Sequence, residues 1–298
     1  MQKLLFIILL LLCATAFAQK TDYRLEKKIK ELIKGFNGDV GIYVKSLQSG
    51  KTVTINADSI FPTASIVKVP ILLGVTQKVL QKEITYDSVF TYNDSLYYAG
   101  EDVLGEFKDG GHIRLKKIIM LMLTTSDNTA SLWLQHIAGT GLSINRILDS
   151  LGYKYTRVNS RTPGRKANWQ QYGWGQTTPR EMANLFESIY YHKIFTPAAC
   201  ETMLRSLGRN FWDENTALSQ IPPYIEVFSK NGAVDQSRNE ILLVNAPHRP
   251  YILSIFTKNN KDQSWINQNE AWRLTRKISA VLWNYFEPKD WWTKPSNP

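Results

Sequence analysis

The chain has 298 residues, of which 43% are hydrophobic, 12% aromatic and 21% charged. That composition can bury a core, which excludes wholesale disorder and fibrous classes, and the length fits one large domain or two that share a core. Lys and Arg number 36 against 26 Asp and Glu, a formal net charge of +10, and such a balance favours anionic surroundings such as nucleic acid, anionic lipid or an acidic polymer.

The N-terminus narrows that choice. Lys3, the apolar run Leu4 to Leu12 and the small-residue site Ala16-Phe17-Ala18 read as a secretory signal cleaved near Ala18. The run is too short to span a bilayer. The expected mature chain, 19–298, is therefore secreted or periplasmic, with no transmembrane segment and no nucleic-acid partner. Cleavage removes Cys13 and leaves Cys200 alone, so no internal disulfide can form. His112, His136, His192 and His248 are scattered, and no Cys/His cluster has zinc-ligand spacing. No metal and no cofactor are expected.

Residues 22–36 carry Leu25, Ile29, Leu32 and Ile33 at helical spacing, with a basic outer face. Residues 39–46 and 51–57 alternate and are β-branched, and Gln48-Ser49-Gly50 between them predicts a hairpin. From about 63 to 215 the pattern is mostly helical, interrupted by the polar run Thr124 to Asn128. Strands are predicted at 225–230, 240–246 and 251–257, with a final helix at 268–286. Sequential strands joined by short turns argue for an antiparallel sheet. The fold class is α/β of the α+β type: a five-stranded antiparallel sheet flanked by terminal helices, plus an inserted all-helical lobe. The sheet lobe would comprise about 19–62 and 216–298, the helical lobe about 63–215, with the site in the cleft between them.

Three short motifs could carry chemistry. In Ser65-Ile66-Val67-Lys68 the three-residue spacing puts a hydroxyl and an amine on one helix face. A lysine held neutral by burial can activate such a serine. Ser126-Asp127-Asn128 lies inside an apolar helical block, where small polar residues can cap a new helix or face a substrate. Lys230-Asn231-Gly232 follows the strand that ends at Ser229. There a glycine lets a substrate backbone approach and a lysine offers charge to a carboxylate.

Taken together, the three motifs resemble the class A β-lactamases and penicillin-binding serine hydrolases in order and spacing, with 61 residues from Ser65 to Ser126 and 104 from Ser126 to Lys230. Thr177 to Ala183 also looks like the family's segment after the omega loop. The resemblance implies that Ser65 is acylated, with Lys68 as its base and Ser126 as proton relay. It implies substrate contacts from Asn128, Lys230, Asn231 and Gly232, an oxyanion hole from the backbone of Ser65 and Ala233, and a second carboxylate contact from Arg238. The implied partner is a small-molecule β-lactam or a cell-wall peptide, and the implied state is a monomer.

The sequence departs from the family in three places. Thr162, followed by Pro163, stands where the omega-loop Glu is expected, and no Asp or Glu occurs from Ser150 to Arg180. Without that base, attack of water on the acyl-enzyme should be slow, unless Lys68, Glu101 or Asp102 substitutes. Asn231 replaces a usual Thr or Ser. Ala167 to Gly175 is rich in aromatic residues, which can either pack the loop down or present a surface to sugar or peptide, as can Trp291-Trp292. A D-Ala-D-Ala peptidase or esterase, or a non-catalytic binding protein on the same fold, are the alternatives to a β-lactamase.

Overall fold

A computed structural model describes residues 20–100, 102–208, 210–290 and 292. The signal segment, Glu101 and Trp291 lie outside the described residues. Helix α1 (Tyr23–Ile33) begins where Asp22 accepts the Leu25 N–H at 3.1 Å, and it buries Leu25 and Ile29. Strands β1 (Asp39–Ser46) and β2 (Thr52–Ile55) form the expected hairpin, closed where Gly50, with φ +69°, donates to the Ser46 carbonyl at 2.9 Å.

Short β3 (Phe61–Pro62) leads into a tight 3₁₀ turn, Ala64–Val67, and then α2 (Lys68–Leu80). Pro70 sits in the first turn of α2, where a missing donor costs little. Strands β4 (Val89–Thr91) and β5 (His112–Arg114) pair before α3 (Leu115–Met120). A wide turn, Leu121–Thr125, then separates α3 from α4 (Asn128–Ile137). After α5 (Thr140–Ser150) come β6 (Arg157–Val158), α6 (Lys166–Tyr172) and β7 (Gly175–Thr177). Helices α7 (Pro179–Tyr190) and α8 (Pro197–Ser206) complete the insertion. The insertion thus holds two small sheets besides its helices, ordered β3-β7-β6 and β4-β5. Strands of two or three residues leave no readable alternation in the sequence.

The chain returns through β8 (Val227–Val234), β9 (Ser237–Val244) and β10 (Tyr251–Lys258), and ends on α9 (Glu270–Phe286). The main sheet runs β2-β1-β10-β9-β8 and is antiparallel throughout. Both of its faces are covered, which is why β9 is buried at every position. Ile241 and Leu243 pack towards the inserted helices, while Leu242 and Val244 pack with α1 and α9. Among the described residues no helix is long and apolar enough to cross a membrane.

Lys230-Asn231-Gly232 does not end a strand. It lies in mid-β8, and the turn comes at Asp235-Gln236. The glycine that reads as a breaker is demanded by packing. A Cβ at position 232 would stand 2.6 Å from the Thr63 carbonyl oxygen and 2.8 Å from the Ser65 nitrogen. The close approach is thus made by the protein's own 3₁₀ turn, not by a substrate backbone. Gly232→Ala is expected to cost about 1–3 kcal/mol in chemical denaturation through forced displacement of that turn. Unchanged stability would contradict so close a contact.

Candidate active site

Three elements meet where β8 crosses the start of α2. The 3₁₀ turn supplies Ser65, with Ala64 before it at φ +46°. The first residue of α2 is Lys68, which is fully buried. The turn before α4 supplies Ser126 in the left-handed region, φ +61°, a conformation that a non-glycine residue adopts at a cost of about 1–2 kcal/mol. Asp127 then caps α4 by accepting the Ala130 N–H at 2.7 Å, so this motif both starts a helix and faces the cleft.

The Lys68 amine is the hub. Its Nζ lies 3.1 Å from Ser65 Oγ, 3.0 Å from Ser126 Oγ and 2.9 Å from Asn128 Oδ1, and it also contacts the Ser126 carbonyl. Burial, then the nearby charge of Lys230, hold the Lys68 pKa well below the usual lysine range, against the opposing pull of Asp102 and Asp127. Lys230 reaches in from β8, with Nζ 3.2 Å from Ser126 Oγ and 2.9 Å from the neighbouring Asn231 carbonyl. It too is fully buried, and burial lowers its pKa to about 8 although Asp213 and Glu240 oppose the shift.

The other residues singled out in the sequence are placed around this hub. Asn128 presents Oδ1 to Lys68 and lines a cavity of about 470 Å³ together with Ser65, Ala233 and Tyr98. Tyr172 and Trp174 of the aromatic loop line the same cavity, and Trp174 stands edge-on to Tyr98 with ring centroids 5.1 Å apart. A second cavity, of about 390 Å³, opens from Ser65 and Ser126 past Asn231, Gly232 and Ala233 to Arg238. Asn231 donates its amide to the Trp212 carbonyl at 3.1 Å, so the amide is engaged by the protein itself. Arg238 packs against both Trp265 and Trp272, at 4.3 and 4.7 Å from their ring centroids, in the corner that the two edge-to-face indoles make. Its Nη groups donate to backbone carbonyls, including those of Ser237 and Ser264, while its Nε has no partner among the described residues.

Thr162 lines neither cavity. It is buried against Gly141 of α5, and its hydroxyl donates to the Ser160 carbonyl at 2.9 Å. The surrounding loop is pinned by neutral amides and a guanidinium. Gln135 and Ser160 exchange two hydrogen bonds, and Asn145 and Val158 do the same. Arg165 bridges Asn159 and Gln176 at 3.0 and 2.8 Å. Of the two carboxylates considered as substitutes, Asp102 has both oxygens on the first turn of α4. Tyr98, Trp212 and the tryptophans around Arg238 were not singled out in the sequence, because nothing local distinguishes them from surface aromatics. Among the described residues no cluster could hold a metal ion.

Comparisons with known proteins give the family and the fold. The profile described as "Beta-lactamase enzyme family" matches residues 24–286. Beta-lactamase VEB-1 of Pseudomonas aeruginosa is 21% identical, covering 96% of this chain and 98% of the relative. Beta-lactamase SME-1 of Serratia marcescens is 24% identical, covering 93% and 96%. Among solved structures, a point mutant of PBP-A in an acyl-enzyme complex with penicillin G superposes with a TM-score of 0.80 at 22% identity, covering 91% of this chain and 98% of that one. A beta-lactamase from Sphaerobacter thermophilus gives 0.79 at 21% identity, covering 90% and 99%. The chain belongs to the beta-lactamase enzyme family, as a serine hydrolase of the class A type.

Proposed function

We propose that this protein is an exported enzyme acylated at Ser65 by a β-lactam or a related acyl donor, and that it releases the acyl group slowly. The observation that carries the reading is the buried Lys68 amine, 3.1 Å from Ser65 Oγ and with its pKa held low. A neutral amine has two N–H groups, and the Ser126 carbonyl and Asn128 Oδ1 are acceptors only. Its lone pair is then free for the Ser65 proton. As Oγ bonds to the acyl carbon, that proton passes to Lys68. When the tetrahedral intermediate collapses, the C–N bond breaks and the leaving nitrogen takes its proton through Ser126 Oγ, which contacts both lysines. The backbone N–H groups of Ser65 and Ala233 would hold the oxyanion. The Asn128 amide would hold the acyl side, and Lys230, with Asn231 and Arg238 behind it, would attract a carboxylate.

Slow release follows from the loop at 159–176, which brings no carboxylate to the acyl group and buries Thr162 against α5. General-base assistance is worth about 10²–10⁴-fold, and that assistance is what the loop lacks. The apolar run and small-residue site before residue 19 support export. A D-Ala-D-Ala peptidase or esterase is the second reading. It is favoured by the same loop and by the fold shared with PBP-A, a mutant of which is described as an acyl-enzyme complex with penicillin G.

A chromogenic cephalosporin is expected to give a burst of about one product per protein, then a slow steady phase, with no burst from Ser65→Ala. Continued turnover at the burst rate would contradict slow release. Release of D-Ala from a short peptide with little cephalosporin turnover would favour the second reading. The pH dependence has a defined sign. Lys230 is protonated below about pH 8, and Glu240, which burial raises to about 8, becomes negative above it. Acylation by an anionic β-lactam is therefore expected to fall as the pH rises through about 8. A rate that stays flat through that range would contradict the role given to Lys230.

A further inference from the structure

We infer that Asp102 is a positioning residue: it clamps the first turn of α4 and so sets the geometry of Ser126 and Asn128 around Lys68. The inference rests on the acylation reading above. The Asp102 carboxylate comes from the segment before β5, not from α4 itself. Its Oδ1 accepts the Asn128 N–H at 2.9 Å, and its Oδ2 accepts the Thr129 N–H at 2.7 Å and the Thr129 hydroxyl at 2.9 Å. Asp127 accepts the next N–H, of Ala130, through Oδ1. The first three donors of α4 thus all end on carboxylates, where the helix dipole favours negative charge.

The return contact makes this a clasp. Asp127 Oδ2 accepts the Leu104 N–H at 2.7 Å, so each segment holds the other. The Thr129 hydroxyl, while donating to Asp102, also accepts the Tyr98 N–H at 3.0 Å. Tyr98 is a wall of the cavity beside Ser65, so one carboxylate links the cavity wall to the turn that contacts Lys68. That turn needs external support. Ser126 holds a left-handed φ that persists only where its surroundings over-determine it. The carboxylate is 7% exposed and its oxygens are engaged with α4, so it fits a support better than a base acting on water.

Charge gives the test a readout that a purely structural role would not move. Lys68 is faced by Lys230 from β8, by Asp127 from the turn before α4, and by Asp102 from the segment before β5. Asp102 favours the charged amine, so Asp102→Asn should move the Lys68 titration to lower pH, together with the acid limb of acylation. Thr129→Val keeps the carboxylate and both amide bonds but loses the link to Tyr98.

The experiment uses the full mature chain with ¹³C-labelled lysine, the Lys68 resonance being assigned with Lys68→Arg. NMR titration and the acylation rate with benzylpenicillin are recorded for both variants. Expected are a lower Lys68 midpoint in Asp102→Asn, a native midpoint in Thr129→Val, and acylation slowed about tenfold or more in both through displaced groups. A native midpoint and pH profile in Asp102→Asn would overturn the inference whatever the melting temperature does, as would native acylation by Thr129→Val if Asp102→Asn does not fold. If the unsubstituted protein takes no penicillin, the acylation reading fails, and the titration still decides the role of Asp102.

Discussion

The structure depends on placing the lysine amine of residue 68 where water cannot reach it. A buried ammonium is costly unless it is paired, and here the strongest neighbour is a second buried lysine, not a carboxylate. The result is an amine whose neutral form is favoured, with acceptors on two sides and the Ser65 hydroxyl on a third. The surrounding fold can be understood as what is needed to keep groups from three segments within hydrogen-bond reach of that atom.

Two close approaches do most of this. Strand β8 can lie against the 3₁₀ turn only because position 232 lacks a Cβ, and this brings Lys230 up to Ser126. The left-handed Ser126 turns the chain back so that its carbonyl and hydroxyl both face Lys68. Behind these contacts the sheet is covered on both faces, which fixes β8 firmly although it is an edge strand. The aromatic loop supplies the remaining wall. The segment before it, 158–165, is held by amides and Arg165, so it keeps its place without a carboxylate at position 162.

Much of this was legible in the sequence. The period-two run of β1, the apolar runs of β9 and β10 and the helical spacing of α1 carry their own signal, so the central sheet and its flanking helices could be expected. The three motifs could be named from spacing because each pairs a side chain with a defined local geometry. The exceptions have physical reasons. Gly232 looks like a strand end in the chain, because the backbone it must admit lies 169 residues earlier at Thr63. The short strands β3 to β7 pair through tertiary contacts and have too few residues to alternate. Asn231 and Arg238 line the second cavity, as the resemblance implies, but the contacts that hold them there could not be read in advance. Their engagement with the Trp212 carbonyl and with Trp265 and Trp272 depends on partners from other segments, which no local pattern encodes.

The central claim is that Ser65 forms an ester faster than the loop lets water break it. The most direct measurement is the intact mass of the mature protein mixed with benzylpenicillin, followed for hours, with peptide mapping of any adduct. The account predicts a shift by the mass of the whole penicillin, located on Ser65 and persisting long after mixing. Unmodified protein with penicillin consumed would show efficient release and contradict the slow step. Unmodified protein with penicillin intact would contradict acylation by β-lactams altogether.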